Sequence, residues 1–191
     1  MNTNITLWLV RHGETLENRA NICQGQTHGT LSDKGIAQAI QLGRRLKNRV
    51  FDQIWTSDLK RARHTTDLIC QTLASPVSVR EDIRLRERSF GSFQGQVFPE
   101  NRTGYAYPDD VESISGMGIR LSSFLRDLHT NNNHHVLIVT HGVALRVMLS
   151  LLLFGDTTHT DQLPLLANAS VTRVRIEGGR VVETDYNPCD L

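Results

Sequence analysis

Two short apolar stretches, residues 5–10 and 136–139, each break off at a polar residue followed by the same dipeptide: Arg11-His12-Gly13 and Thr140-His141-Gly142. An apolar run of four to eight residues that ends abruptly reads as a strand buried on both faces. Strands of that kind belong to parallel sheets covered by helices above and below. Packing alone does not require two such strands to end in His-Gly. A site assembled from two strand ends does, because ligands of open α/β sheets bind beyond the carboxyl ends of the strands.

The segments between them fit that scheme. Ser32-Asp33 precedes Ile36, Ala39, Ile40, Gly43 and Leu46 at helical spacing, with a plausible N-cap. Residues 51–56 read as a second strand, and Ser57 or Asp58 is expected to cap a helix carrying Leu59, Ala62, Leu68, Ile69 and Leu73. Residues 76–79 suit a short edge strand. Residues 89–111 are rich in Gly, Pro and aromatic side chains without clear periodicity and read as a loop or lid. Residues 112–128 predict a helix with Ile119, Phe124, Leu125 and Leu128 on its apolar face. A polar Asn131-Asn132-Asn133 turn, the strand at 136–139 and an apolar helix at 144–153 follow. Residues 171–176 and 180–184 meet at Glu177-Gly178-Gly179, a hairpin signal. Strands alternating with helices predict a three-layer α/β/α sandwich with a mostly parallel central sheet.

At 191 residues the chain is long enough for one domain with a proper core. A formal net charge of +1 argues against general nucleic-acid or acidic-membrane partners, which select for basic excess. Any anion site must therefore be a local concentration of arginines. Cys23, Cys70 and Cys189 are odd in number and far apart, which suits a reducing compartment and offers no disulfide or metal framework. The first apolar run is broken at Arg11-His12, so no signal peptide is expected, and the stretch around 147–154 is too short to span a bilayer. A cytoplasmic location is the expectation.

Four pieces could carry chemistry. Arg11-His12 offers a nucleophilic imidazole beside a planar guanidinium fork; a surface Arg-His pair in a loop is the bland alternative. Arg61 falls in the first turn of a helix, where the dipole mildly disfavours a cation unless a phosphate sits there too. Glu87 lies between Arg86 and Arg88 and ahead of glycines; it reads either as a proton donor beside an anion or as a member of a surface ion-pair cluster. His141 precedes Gly142 at the start of an apolar helix, whose N–H groups can face an anion held near His12. Tyr105, Tyr107, Phe93 and Phe98 could pack a flat leaving group or simply hold the lid down.

Together these pieces resemble the histidine phosphatase superfamily, the group that contains the cofactor-dependent phosphoglycerate mutases and many small phosphatases. The resemblance rests on Leu9-Val10-Arg11-His12-Gly13-Glu14-Thr15, then Asn18 and Gln24-Gly25, Leu31-Ser32-Asp33-Lys34-Gly35 and Ser57-Asp58-Leu59-Lys60-Arg61-Ala62. It continues through Leu85-Arg86-Glu87 to Gly95, Glu112-Ser113, Val139-Thr140-His141-Gly142 and Asn168-Ala169-Ser170. The motifs run in family order over nearly the whole chain.

The resemblance implies a phosphoglycerate mutase-like fold and a catalytic set of His12, Glu87, Arg11, Arg61 and His141. His12 would become phosphohistidine, and Glu87 would protonate the leaving oxygen and later deprotonate the attacking water. Arg11, His12, Arg61 and His141, with Asn18, Gln24, Gly25 and the amide of Gly142, would bind the phosphoryl group. No cofactor is expected. No HExxH pair, carboxylate cluster or cysteine set offers a metal site, and His134-His135 reads as a solvated turn. The expected activity is metal-independent hydrolysis of a small phosphomonoester, favoured at mildly acidic to neutral pH. Phosphoglycerate mutase-type transfer is the first alternative. The short segment after Glu87 disfavours it, because its only basic residue beyond Arg88 is Arg102 where mutases carry a long basic insertion. A non-catalytic phosphate-binding module is the second, against which the chain retains both His12 and Glu87. A dinucleotide-binding oxidoreductase fails, since Gly116-Met117-Gly118 lacks a third glycine and follows no strand. Oligomeric state is not legible.

Overall fold

A computed structural model describes residues 4–100, 105–128 and 134–188; Cys189, Arg102, His129 and the Asn131-Asn132-Asn133 turn lie outside the described residues. The first apolar run forms β1 (Ile5–Arg11), followed by a one-turn helix α1 (Leu16–Arg19) that the sequence pattern did not suggest. Helix α2 (Asp33–Arg45) follows its Ser32 cap, then β2 (Gln53–Thr56), α3 (Lys60–Cys70) and a short β3 (Val79–Glu81). After the aromatic segment come α4 (Ile114–Asp127), β4 (His134–Thr140) and α5 (Gly142–Phe154), and the chain ends in the hairpin β5 (Val171–Glu177) and β6 (Arg180–Tyr186).

The six strands form one sheet in the order β3-β2-β4-β1-β5-β6. Four strands are parallel, and β5 joins β1 antiparallel, with β6 antiparallel beyond it. Side-chain alternation in the central strands explains the layers. Leu7, Leu9, Val136 and Ile138 face α4 and α5, whose Met117, Leu121, Phe124, Leu145 and Met148 complete one core. Trp8, Val10, Leu137 and Val139 face the other way, onto Leu42 of α2 and Ala62 and Ile69 of α3. Gly178 and Gly179 both take positive φ between Glu177 and Arg180, as a two-residue hairpin turn requires. No helix among the described residues is long and apolar enough to cross a membrane.

Four expectations need correction. Ile119 does not face the core: it is 75% exposed, while Met117, Leu121 and Phe124, at helical spacing, are buried. Neither Ser57 nor Asp58 caps α3; its cap position is Leu59, without a side-chain bond. The Ser57 hydroxyl turns to His141, and the Asp58 carboxylate to Arg86. The edge strand falls at Val79–Glu81 rather than 76–79. His134 and His135 begin β4 rather than forming a turn, and His135 Nδ1 accepts from the Trp8 indole N–H at 3.2 Å.

Parallel pairing of β1 with β4 sets Arg11 against Thr140, so His12 and His141 leave adjacent strands at the same end. The turn after His12 then passes very close to α2. A Cβ on Gly35 would lie 1.9 Å from the Glu14 carbonyl oxygen, and one on Gly13 would lie 2.5 Å from the Gly35 carbonyl oxygen. Gly35→Ala should therefore cost about 1–3 kcal/mol, as overpacking does. Thermal unfolding checks this: a Tm equal to that of the wild type would contradict the close approach.

Candidate active site

The buried His12 ring has a defined tautomer. Its Nδ1 lies 2.7 Å from the Gly13 carbonyl oxygen, which can only accept, so Nδ1 carries the hydrogen. Its Nε2 faces the Nε–H of Arg61 at 3.2 Å, which can only donate, so Nε2 carries the lone pair. Burial, then the charges of Arg61 and Arg11, hold the ring well below the usual histidine range, against a smaller opposing effect of the Gly13 carbonyl. The imidazole is neutral, with Nε2 available as a nucleophile.

Arg61 is 1% exposed and fully engaged. Besides His12 it donates to Thr27 O and Gly25 O, each at 2.7 Å. Desolvation pushes its guanidinium down to about 10, with Glu87 opposing the shift. Gly25 reaches its position with a positive φ, so its carbonyl comes from a turn suited to glycine. Arg11 donates to Leu166 O at 2.5 Å, while its buried Nε has no hydrogen-bond partner and packs against Gly142. Desolvation lowers its pKa too.

Glu87 sits on the N-terminus of α5. Its Oε2 accepts from the Val143 amide and its Oε1 from the Ala144 and Arg88 amides, all at 2.9–3.1 Å. A helix leaves its first N–H groups without intrahelical acceptors. Glu87 takes two of them, and the Gly142 amide, with no acceptor among the described residues, lines the pocket. Arg120 holds the chain around Glu87: it donates to the carbonyls of Arg84, Arg86 and Glu87 and pairs with Glu112 at 2.7 Å. The Glu112-Ser113 motif is thus tied to the carboxylate it helps to position.

Asn18 closes α1 through a capping box with Thr15. Its Oδ1 accepts from the Thr15 amide and from Asn168 Nδ2, both at 3.2 Å, which orients the amide group. Asn168 also donates to His12 O at 3.1 Å, and the Gly13 amide donates to Thr65 Oγ1 at 3.0 Å.

The pocket holds about 310 Å³ and is lined by Arg11, His12, Asn18, Gln24, Gly25, Arg61, Glu87 and Gly142. Eight of the nine residues singled out from the sequence therefore converge on it. The ninth, His141, lies fully buried behind His12, with ring centroids 5.2 Å apart. Sequence reasoning missed Ser57, Thr27, Thr65, Arg120 and, at the mouth, Arg146 and Asp161. A helical wheel from Gly142 would have found Arg146, one turn along. The aromatic segment forms a packed cluster that also borders the pocket. Phe90, Phe93, Phe98 and Tyr107 pack on one another and on Cys23, and Phe90, Phe98 and Tyr107 also line the pocket. Among the described residues no group of three or more His, Cys, Asp and Glu side chains could hold a metal ion.

A cavity with one neutral histidine on its wall and a second buried behind it, fixed guanidinium and amide donors and a carboxylate suits a tetrahedral anion and its transfer. The comparisons agree with that class. The model of the histidine phosphatase superfamily (branch 1) matches residues 7–188, and the chain belongs to this family. It is 34% identical to a probable phosphoglycerate mutase GpmB of Erwinia tasmaniensis over 200 residues, covering 94% of this chain and 92% of the relative. It is equally 34% identical, over 184 residues and the same shares, to an uncharacterized phosphatase PhoE of Bacillus subtilis. A crystal structure of phosphoglycerate mutase from Bacillus anthracis superimposes with a TM-score of 0.81 at 24% identity, covering 95% of this chain and 92% of that one. That likeness shows the fold, a mixed sheet flanked by helices of the phosphoglycerate mutase type. The relatives' names contain both mutase and phosphatase and do not choose between them.

Two predictions follow from the buried histidines. His12 and His141 both titrate well below the ordinary 6.5, in each case first through desolvation. The unfolded chain therefore binds more protons than the native one below that value. Stability should be complete above neutrality and fall as pH drops through about 6.5, by up to about 1.4 kcal/mol per pH unit for each ring. Denaturation midpoints between pH 8 and 5 should show it, with a shallower slope in His141→Asn.

The second concerns the tautomer of His141, whose Nε2 lies 2.9 Å from Ser57 Oγ. That oxygen accepts from the Leu59 amide at 3.3 Å and still has a lone pair and its own hydrogen, so it can either donate to Nε2 or accept from it. Nδ1 is buried without a hydrogen-bond partner, so the Ser57 contact is what sets the tautomer. Nitrogen-15 NMR should report a single tautomer in the wild type and a mixture in Ser57→Ala; identical spectra would contradict that role of Ser57.

Proposed function

We propose that the protein is a phosphomonoester hydrolase acting through a phosphohistidine at His12 on a small phosphorylated molecule, without a metal. The observation that carries this reading is the lone pair of His12 Nε2, held neutral and pinned beside the Nε–H of Arg61. Attack forms the Nε2–P bond and breaks the bond from phosphorus to the ester oxygen. Because Thr27 and Gly25 anchor the rest of the Arg61 guanidinium, its Nε–H passes from the nitrogen lone pair to a phosphoryl oxygen without moving far. Arg11, Asn18 and the amide of Gly142 supply further donors to the equatorial oxygens, where the charge of a loose transition state lies. His141, neutral and buried beside His12, adds no opposing charge behind the nucleophile.

Glu87 serves as the proton donor. Its Oε1 already accepts two amides, whereas Oε2 accepts one and keeps a lone pair for a proton. That proton goes to the leaving oxygen. In the second half Glu87 takes a proton from water, whose oxygen attacks phosphorus and returns the electron pair to His12. Hydrolysis is favoured over mutase transfer by the segment after Glu87. It is short and folds into the aromatic cluster, and it carries no basic residue between Arg88 and Arg102 to hold a second charged group over the phosphohistidine. The one-domain organisation expected over residues 1–191 and a cytoplasmic setting belong to the same proposal.

Released phosphate should be measured with p-nitrophenyl phosphate and a panel of phosphorylated metabolites, with and without EDTA. His12→Ala should lose roughly 10⁴-fold or more of kcat, as removal of a nucleophile does. Glu87→Gln should lose about 10²–10⁴-fold on alkyl esters and much less on the p-nitrophenyl ester, whose leaving group needs no proton. Loss of activity in EDTA, an active His12→Ala or isomerisation of phosphoglycerates without phosphate release would overturn the reading.

A further inference from the structure

Arg146 lines the same pocket and has no part in the scheme above. It lies four residues after Gly142 on α5, about one turn or roughly 6 Å further along the axis. Its side chain is 18% exposed, and its Nε is buried without a hydrogen-bond partner. Its single polar contact among the described residues joins Nη2 to Asp161 Oδ1 at 3.4 Å, and that carboxylate side chain is 93% exposed. Arg61 and Arg120, also withdrawn from water, are held differently. Arg61 has three fixed acceptors, and Arg120 is bound to three carbonyls and a carboxylate. A guanidinium taken largely out of water and paired only weakly is costly by itself and well suited to a planar anion. The exposed Asp161 is a readily displaced partner, since such ion pairs contribute little.

Its position puts the anion on the side of the pocket where Glu87 lies. Glu87, which would face the leaving oxygen, rests on Val143 and Ala144, and Arg146 follows on the same helix. We propose that Arg146 is a second anion subsite, selecting phosphomonoesters whose leaving group carries a carboxylate or a second phosphate. The proposal rests on the hydrolase reading and names the substrate class of that pocket.

Three minimal esters test it: ethyl phosphate, phosphoglycolate and propane-1,3-diol bisphosphate. The readout is the ratio of kcat/KM for each anionic ester to that for ethyl phosphate. The wild type should prefer at least one anionic ester by about 10-fold or more, the usual effect of a hydrogen bond to a charged group. Which ester is preferred tells carboxylate from phosphate. Arg146→Gln should bring the ratio close to one, Arg146→Lys should restore part of it, and Asp161→Asn should raise it. A wild type without preference, or an Arg146→Gln that slows all three esters equally, overturns the subsite. If no ester is hydrolysed, the hydrolase reading fails instead. Calorimetric affinities of phosphoglycolate and ethyl phosphate for the wild type and Arg146→Gln then decide the subsite by the same ratio.

Discussion

A guanidinium removed from water must be given acceptors, and much of this site follows from how Arg61 meets that demand. Its three partners come from two places: the end of β1 at His12, and the carbonyls of Gly25 and Thr27 in the loop beyond α1. Burying one charge thus fixes the loop around residue 25, the lone pair of His12 Nε2 and the direction of a donor toward it. The same charge helps to keep both histidines neutral. Removing Arg61 would leave the loop carbonyls without a donor and the site one cation poorer.

The second determinant is strand order. Placing β4 directly beside β1 brings two residues far apart in sequence to one edge of the sheet, and α5 starts where β4 stops. Helix α5 then has amides to spare, which Glu87 and the pocket share. His12, His141 and Glu87 are therefore positioned by backbone geometry, and side-chain contacts refine what the sheet has arranged.

Much of this was readable from residue types. Abrupt apolar runs marked the buried strands, and the repeated His-Gly marked the strand ends at the site. Residues whose side chains serve distant partners were harder to read. Ser57 and Asp58 look like helix caps because local spacing is all that a sequence pattern can weigh, yet their oxygens serve His141 and Arg86. Ile119 looks like core, but Met117, Leu121 and Phe124 define the buried stripe and Gly118 lies against Thr157. Helix α1 is a single turn held by a capping box, too short for any periodicity. Arg146 was hidden by its setting, since one charge in a strongly apolar helix reads as an exception rather than as a ligand.

Helix α5 has a consequence for how such a molecule can diversify. Its first turn anchors the Glu87 carboxylate, and its second turn bears Arg146, which lines the same pocket. One rigid rod therefore acts as a ruler between the two charged groups. The rim segments that bear Phe98, Tyr107, Asp161 and Leu165 are not part of that rod. Substitutions there can recast the mouth of the pocket while that spacing stays calibrated.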